Sequence, residues 1–488
     1  NWDLGRGLTL TYGVRATLPL IFNTPTPNKE FNGGEIARRY DIRIGDVPRA
    51  HLLLSPRVGL AWEKSYTAGK LSVEGGVGIF TGQVPFVWVV NNYSNTGVEQ
   101  KGLRLTGTFE NGEVVGSAAP FTPIPEPTTL SNTSFMLNAM DDEFRYPQNL
   151  KASLSGEFVW NNGWSVRGDV LYTKTLQNVR FRNLAIEKTM DVVYAVPSAD
   201  GESASGAYPA FTRTTNDYSA IYYMENTSKG YSYVISGSVS KIFPFGLSLA
   251  ASYAYAGAYA VCDVPSTSSS TNWSRSYGVD LNAEEMGISA YNVPHKLSVM
   301  ATYRKRYAPL FDVAASLVYQ LQSGQRYSLC FGETVDFNGD GVFGSTLMYI
   351  PTEEELDRMM FADDKSASRW NDFINDSKYL RSHRGSFAER NAMQTPVEHR
   401  LDLHLSHGFY FGRTTGRKLE LSLDVMNLGN LICRHWGAYY NVSGVRLQPV
   451  TISATEDGQP VYRFTGAEPS PSDLLSRWHM QIGARIVF

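Results

Sequence analysis

Three oxygen-bearing side chains stand at alternate positions in DFNGDG, residues 336–341: Asp336, Asn338 and Asp340, with Gly341 to make the bend. Hard cations want clustered oxygens, and this spacing is the first half of a calcium loop. The glutamate that usually closes such a loop is missing, because Leu347 occupies its position. Two readings follow: a Ca2+ ion that staples an extracellular loop and takes no part in catalysis, or a polar turn that holds no ion. No other cofactor is expected.

Nucleophilic chemistry has less support. HLSH brings His404, Ser406 and His407 close in sequence, and a hydrolase needs its base and nucleophile within hydrogen-bond reach. On a strand, His404 and Ser406 share one face and His407 takes the other. No third residue can be assigned to orient the base, so no enzyme is expected. Asp141 and Asp142 are adjacent and read as loop solvation. Cys262, Cys330 and Cys433 lack metal-site spacing and permit at most one internal disulfide.

Composition narrows the class. The net charge of -3 comes with no basic block, so nucleic acid is not an expected partner. Aromatic residues make up 12% of the chain, a balance that suits strands. No apolar run approaches the ~18 residues of a membrane helix; the longest candidate is VPFVWVV, 84–90. The mean hydropathy of -0.25 is also what a membrane barrel gives, because half of each strand faces a wet lumen. The chain begins at Asn1 without a signal peptide and reads as a mature chain or a piece of a longer one.

The elements that must carry these residues show a two-residue alternation. RWHMQIGARIVF, 477–488, is one such segment. KLELSLDV (418–425) and RLDLHLSHGFYF (400–411) precede it, then FDVAASLVYQL (311–321) and KLSVMATYRKRY (296–307). GLSLAASYAY (246–255), GYSYVISGSVSKIF (230–243), GWSVRGDVLYTK (163–174) and NLKASLSGEFVW (149–160) continue the series. KLSVEGGVGIF (70–80), SPRVGLAWE (55–63) and LTLTYGVRATL (8–18) bring the count to twelve. Each is roughly 9 to 14 residues, the length of a membrane-spanning strand, whereas soluble strands cluster near 5 or 6.

The connections alternate short and long. Residues 64–69, 161–163, 244–246, 308–310 and 412–418 are short, while 20–50, 81–148, 176–228, 259–293, 323–396 and 429–475 are long. Outer-membrane barrels show this asymmetry between periplasmic turns and extracellular loops. Trp160, Trp164, Phe243, Phe245, Tyr307, Phe311 and Phe409 to Phe411 flank the tight turns as an interfacial girdle would. Inside the longest loop, PTEEELDRMM reads as a short helix with Thr352 as N-cap and Glu355 completing a capping box. A long loop of this kind is expected to cover the pore mouth or to meet a partner.

If the apolar face meets lipid, the other face lines a lumen. It carries Arg15, Arg57, Glu74, Lys151, Glu157, Arg167, Asp169, Arg304, Asp312, Arg400, Asp402, Glu420, Asp424 and Arg485. In a dry core these charges would be prohibitively costly; around water they are tolerable. Both a solvated wall with internal ion pairs and a solute pathway fit the pattern.

Several stretches, in order, resemble Oar-like TonB-dependent receptors of Bacteroidota. They are SPRVGLAW with GGVGIFTGQVPFVWVVNNYSNTG (75–97), NTSKGYSY (226–233), NVPHKLSVMATYRKRY (292–307), LQSGQRYS (321–328), DFNGDG with LMYIP, RGSFAERN (384–391) and LDVMNLGNLICRHWG (423–437). Cys433 departs from the pattern. The resemblance implies a barrel of about 22 strands with a plug domain, energised through TonB from the inner membrane. On that reading about ten strands, the plug and the TonB-contacting segment lie upstream. Residues 1–488 are then one domain, the C-terminal part of an antiparallel transmembrane β-barrel in the bacterial outer membrane. Its partners would be outer-membrane lipid, the remaining strands and plug, and TonB through that N-terminal part. The alternatives are a self-contained twelve-stranded pore or enzyme, and a docking barrel that presents its loops to other cell-surface proteins. The self-contained barrel requires the strand at 8–18 to pair with the last one, because an open edge in lipid is excluded.

Overall fold

The computed structural model describes residues 1–98, 107–110, 113–116, 135–199, 202–412, 416–456 and 459–488. The middle of the expected 412–418 turn, 413–415, lies outside the described residues, as do parts of the connections 81–148, 176–228 and 429–475.

All twelve expected strands are present, in chain order, as one antiparallel wall with a short extra strand at its edge. The first are β1 (Trp2–Gly5), β2 (Leu8–Thr17), β3 (Leu53–Tyr66) and β4 (Gly69–Thr81). Next come β5 (Gln148–Trp160), β6 (Trp164–Asn183), β7 (Gly230–Ile242), β8 (Leu247–Ala260) and β9 (His295–Ala308). The wall ends with β10 (Phe311–Gln322), β11 (Glu398–Tyr410), β12 (Lys418–Met426) and β13 (His479–Val487). β1 has only 4 residues, too few for an alternation to show in sequence. β7 and β8 pair without a break from Gly230↔Ala260 to Ile242↔Ser248, whereas β9 and β10 shift register near their turn, between Arg306 and Ala308.

The tight turns need glycine where the chain reverses. Gly163 (φ +87°) and Gly246 (φ +99°) adopt backbone conformations that L side chains rarely take, and a Cβ on either would run into the carbonyls of Ile242 and Arg304. Around these turns the expected aromatics gather. Phe243 and Phe245 lie 5.3 Å apart between ring centroids, and Tyr307 stacks on Phe311 at 6.0 Å.

One face of the wall is apolar and uncovered: Val14 is 70% exposed, Leu154 59% and Ile482 79%. A water-facing sheet would hide such a surface; a lipid-facing one presents it. The wall is open among the described residues, with β1 and β13 as its two edges and no pairing between them.

The hydrophobic core lies in the long connections. Tyr208, Phe331, Met348, Ile350, Trp370 and Tyr462 are buried together, and none comes from a wall strand. Strands Arg326–Glu333, Arg446–Glu456 and Gln459–Phe464 form a sheet that helix Ser366–Asp376 packs against. A second cluster joins the helices Lys29–Gly33 and Glu35–Tyr40 to Leu137, Tyr218 and Ile221. β6 runs well past its expected end at 174, to Asn183, because its upper part leaves the lipid layer and pairs with strand Tyr218–Thr227. The expected helix forms at Glu353–Leu356. The Thr352 N–H donates to Glu355 Oε2 at 2.8 Å, and the Glu355 N–H donates to Thr352 Oγ1 at 3.1 Å.

Candidate functional site

The lumen face is built by strand alternation, and its charges meet both along one strand, two residues apart, and across strands. Arg167 of β6 reaches Asp169 at 2.7 Å and, two strands away, Glu74 of β4 at 3.4 Å. Ser155, in register with both Glu74 and Asp169, donates its hydroxyl to Glu74 at 3.1 Å. Near the tight turns Lys418 reaches Asp312 at 3.3 Å and Glu420 at 2.5 Å, and the Tyr410 hydroxyl donates to Asp312 at 2.7 Å. At the opposite end Arg400 pairs with Asp402 at 2.9 Å, and His404 Nδ1 lies 2.6 Å from Asp424.

Six of the expected lumen residues, Arg15, Arg57, Lys151, Glu157, Arg304 and Arg485, make no ion pair among the described residues; Glu157 accepts from the Ser165 hydroxyl at 2.7 Å. The Arg57 guanidinium sits 5.7 Å from the Phe80 ring centroid, which Lys151 approaches at 5.6 Å. Arg485 is in register with Glu420, and Arg304 with Ala314; Arg15 is in register with Ser55. Sequence reasoning missed Lys418, although the alternation Lys418, Glu420, Ser422 already placed it on the lumen face. It also missed Phe80, whose place beside two cations depends on cross-strand register. His407 bonds the Tyr307 hydroxyl at 2.8 Å, on the face opposite His404, as the strand parity requires.

The long connections are held to one another by side-chain hydrogen bonds, several of them from residues within the stretches that carry the resemblance. The Arg384 guanidinium donates to the Pro351 carbonyl at 2.8 Å and to Asn375 at 3.0 Å. Asn391 donates to the Ile288 carbonyl at 2.8 Å and accepts from Ser328 at 3.0 Å. Asn427, at the top of β12, donates through Nδ2 to the carbonyls of Gly437 and Ser476, while its N–H donates to Asp402 at 2.8 Å. Arg180 and Arg182 flank Glu225 at 2.5 and 2.7 Å.

Two cavities are lined mostly by residues of these connections. One, of about 650 Å3, is lined by Arg180, Tyr259, Asp280, Glu285 and Arg390 among others. The second, of about 570 Å3, has Asp263, Arg275, Arg326 and Glu398 in its lining and shares Tyr277 with the first. Both walls mix signs and aromatic rings, a lining that offers hydrogen bonds and stacking without a net preference for an anion or a cation.

The DFNGDG stretch forms a compact turn. Both Asp336 carboxylate oxygens accept backbone N–H groups, from Gly339 at 2.9 Å and Gly341 at 3.0 Å. Asp340 accepts from the Val342 N–H at 2.8 Å, and Asn338 accepts from the Asp340 N–H at 3.4 Å. Cys262 and Cys330 are buried and Cys433 exposed; all three are free thiols.

A comparison with curated proteins gives no match. Solved structures similar to the chain include a mutant of the ferric enterobactin receptor of Pseudomonas aeruginosa, 11% identical over 88% of this chain and 38% of its own, with a TM-score of 0.39. The FrpB iron transporter of Neisseria meningitidis is 10% identical over 99% of this chain and 43% of its own, with a TM-score of 0.41. The outer membrane transporter YddB of Escherichia coli is 10% identical over 90% and 41%, with a TM-score of 0.40. The chain thus spans less than half the length of each of these structures. Residues 1–432 match the model of the outer membrane beta barrel domain. With its long antiparallel wall, uncovered apolar face and charged lumen face, the chain belongs to that family, and it is a β-barrel chain of the bacterial outer membrane.

Proposed function

We propose that this chain is the C-terminal part of the barrel of a TonB-dependent-receptor-like transporter of the Oar-like type found in Bacteroidota. Its loops capture a solute and its lumen passes it. The observation that carries the reading is the open wall: β1 with β2 at one edge and β13 at the other have no mutual pairing. An edge strand in hydrocarbon leaves N–H and C=O groups with nothing to bond, so further strands must complete the cylinder. A wider barrel is also what a plugged lumen needs. The stapled loop layer, with its mixed-sign cavities, supplies the capturing surface, and the charged wall supplies a wet path below it. TonB would act through the part of the receptor that lies outside this chain, and no catalytic step or cofactor is required.

The test is cross-linking between edges. In a Cys433→Ser background, a cysteine at Thr11 is combined with cysteines at Gln481, Gly483 and Arg485 in turn, in outer membranes. The reading expects no disulfide within the chain. A bond between β2 and β13 at any of these positions would mean a self-contained barrel and would sink it. Free flux of sugars through liposomes without an energy source would favour the pore instead.

A further inference from the structure

The cavity of about 570 Å3 holds two opposite charges that do not pair with each other, Arg326 and Glu398. Glu398 opens β11, and its Oε2 accepts from Gln322 Nε2 at 2.7 Å, across the register Gln322↔Glu398. Among the described residues no cation reaches Glu398, and its Oε1 has no partner. Arg326 starts the strand Arg326–Glu333, and its Nη1 donates to the Ala392 and Asn391 carbonyls at 2.9 and 3.4 Å. Its Nε is buried without a partner, and among the described residues no carboxylate pairs with it. Asn292 lines the same cavity; it is 6% exposed, and its Oδ1 is buried without a partner. The two other charges of the lining differ. Asp263 accepts from the Ser289 hydroxyl at 2.6 Å and the Ala290 N–H at 2.8 Å, and Arg275 is exposed.

The walls around this space are tied together. Gln325 accepts from the Val442 N–H at 2.9 Å and donates its own N–H to Thr395 Oγ1 at 2.8 Å, while the Ser323 N–H donates to the His295 carbonyl at 2.9 Å. An unpaired charge in a half-buried wall is costly, and these two do not relieve the cost by meeting. A ligand with opposite charges at its ends compensates both at once; a neutral sugar leaves both unmatched. We propose that this cavity binds a short peptide with free termini, its carboxylate on the Arg326 guanidinium, its ammonium on Glu398 and a backbone N–H on Asn292. Charge-assisted hydrogen bonds at both ends give such a ligand its orientation. Tyr291, 69% exposed, and Tyr439 bring rings into the same lining for an apolar side chain. Glu398 also faces onward. With Gln322 and Tyr439 it borders a further cavity of about 370 Å3 that extends to Gln320 and Arg400 of the lumen face. Passage along that route rests on the transporter reading above; binding itself does not.

The full-length protein, folded in detergent micelles, is offered tripeptides with free termini and varied middle residues at about 1 mM. Bound peptide is read by native mass spectrometry and by the shift in melting temperature. The same peptides with acetylated N-termini or amidated C-termini, and maltotriose, are run beside them. Free peptides are expected to bind, and either cap to weaken binding by about tenfold or more. Arg326→Gln should lose as much on the free peptides, yet bind the amidated ones as the unmodified protein does. Glu398→Gln should behave in the same way toward the acetylated ones. Folding of each variant is checked by the shift in mobility between folded and heated samples. No tripeptide bound, equal binding of peptides capped at both ends, or maltotriose bound in their place would overturn the proposal. A disulfide between β2 and β13 would instead remove the transporter reading and leave the peptide site standing.

Discussion

The guanidinium of Arg390 donates to the carbonyl of Val261 at 2.5 Å, and also to the carbonyls of Ala260 and Glu285. It therefore caps the end of β8 where that strand leaves the wall, from a loop far away in sequence. Replacing it by alanine strips donors from two partly buried carbonyls and one exposed one, a cost of about 1–3 kcal/mol. Hydrogen exchange in Arg390→Ala is expected to quicken over residues 258–290 and 384–391, with the wall strands still protected. Arg390→Lys, which lacks the planar fork, should fall between the two.

The lumen ion pairs should matter little for stability. Arg167 keeps 39% of its side chain exposed beside Glu74 and Asp169, and solvent-exposed pairs contribute about 0–1 kcal/mol. Arg167→Gln is expected to shift barrel unfolding by less than about 1 kcal/mol. A loss several times larger would mean that this stretch of the lumen is dry.

The two faces of β13 should respond oppositely to charge. Ile482 is on the uncovered apolar face, and an arginine near the bilayer midplane costs about 2–4 kcal/mol. Ile482→Arg should hinder folding into lipid vesicles, measured as the shift in mobility between folded and heated samples. Gln481→Lys, one residue away on the lumen face, should fold normally. Equal effects would place the lipid boundary elsewhere.

Acid should loosen the capped helix at Glu353–Leu356. Burial alone would raise the Glu355 carboxyl, but donors from the Ser205 hydroxyl, the Thr352 N–H and the Tyr349 hydroxyl outweigh it and hold the group below its ordinary 4.5. The unfolded segment then binds more protons than the folded one. The stabilisation is complete above pH 4.5 and is lost as pH falls through the folded value. Exchange at residues 349–358 should rise on acidification in the native protein and show no such step in Glu355→Gln.

Much of the wall was legible in sequence because each strand repeats one local rule. Leu419, Leu421 and Leu423 face lipid for the same reason that Glu420, Ser422 and Asp424 face water, and no distant residue is needed to decide it. The capping box at Thr352 and Glu355 was equally local. β1 escaped notice for want of length, and the upper part of β6 because its partner, Tyr218–Thr227, is a loop strand. The packing of Trp370 against Tyr462 was invisible, since nothing near either residue announces the other.

By itself, then, the sequence determined which residues span the membrane, which way each side chain turns and where the chain reverses. These follow from a period of two and from backbone sterics at turn glycines, both properties of short segments. Only the tertiary structure decided which charges meet, how the loops fold into a layer with its own core, and that the wall stays open between β1 and β13. Those outcomes depend on register between strands and on contacts between residues that no local pattern relates.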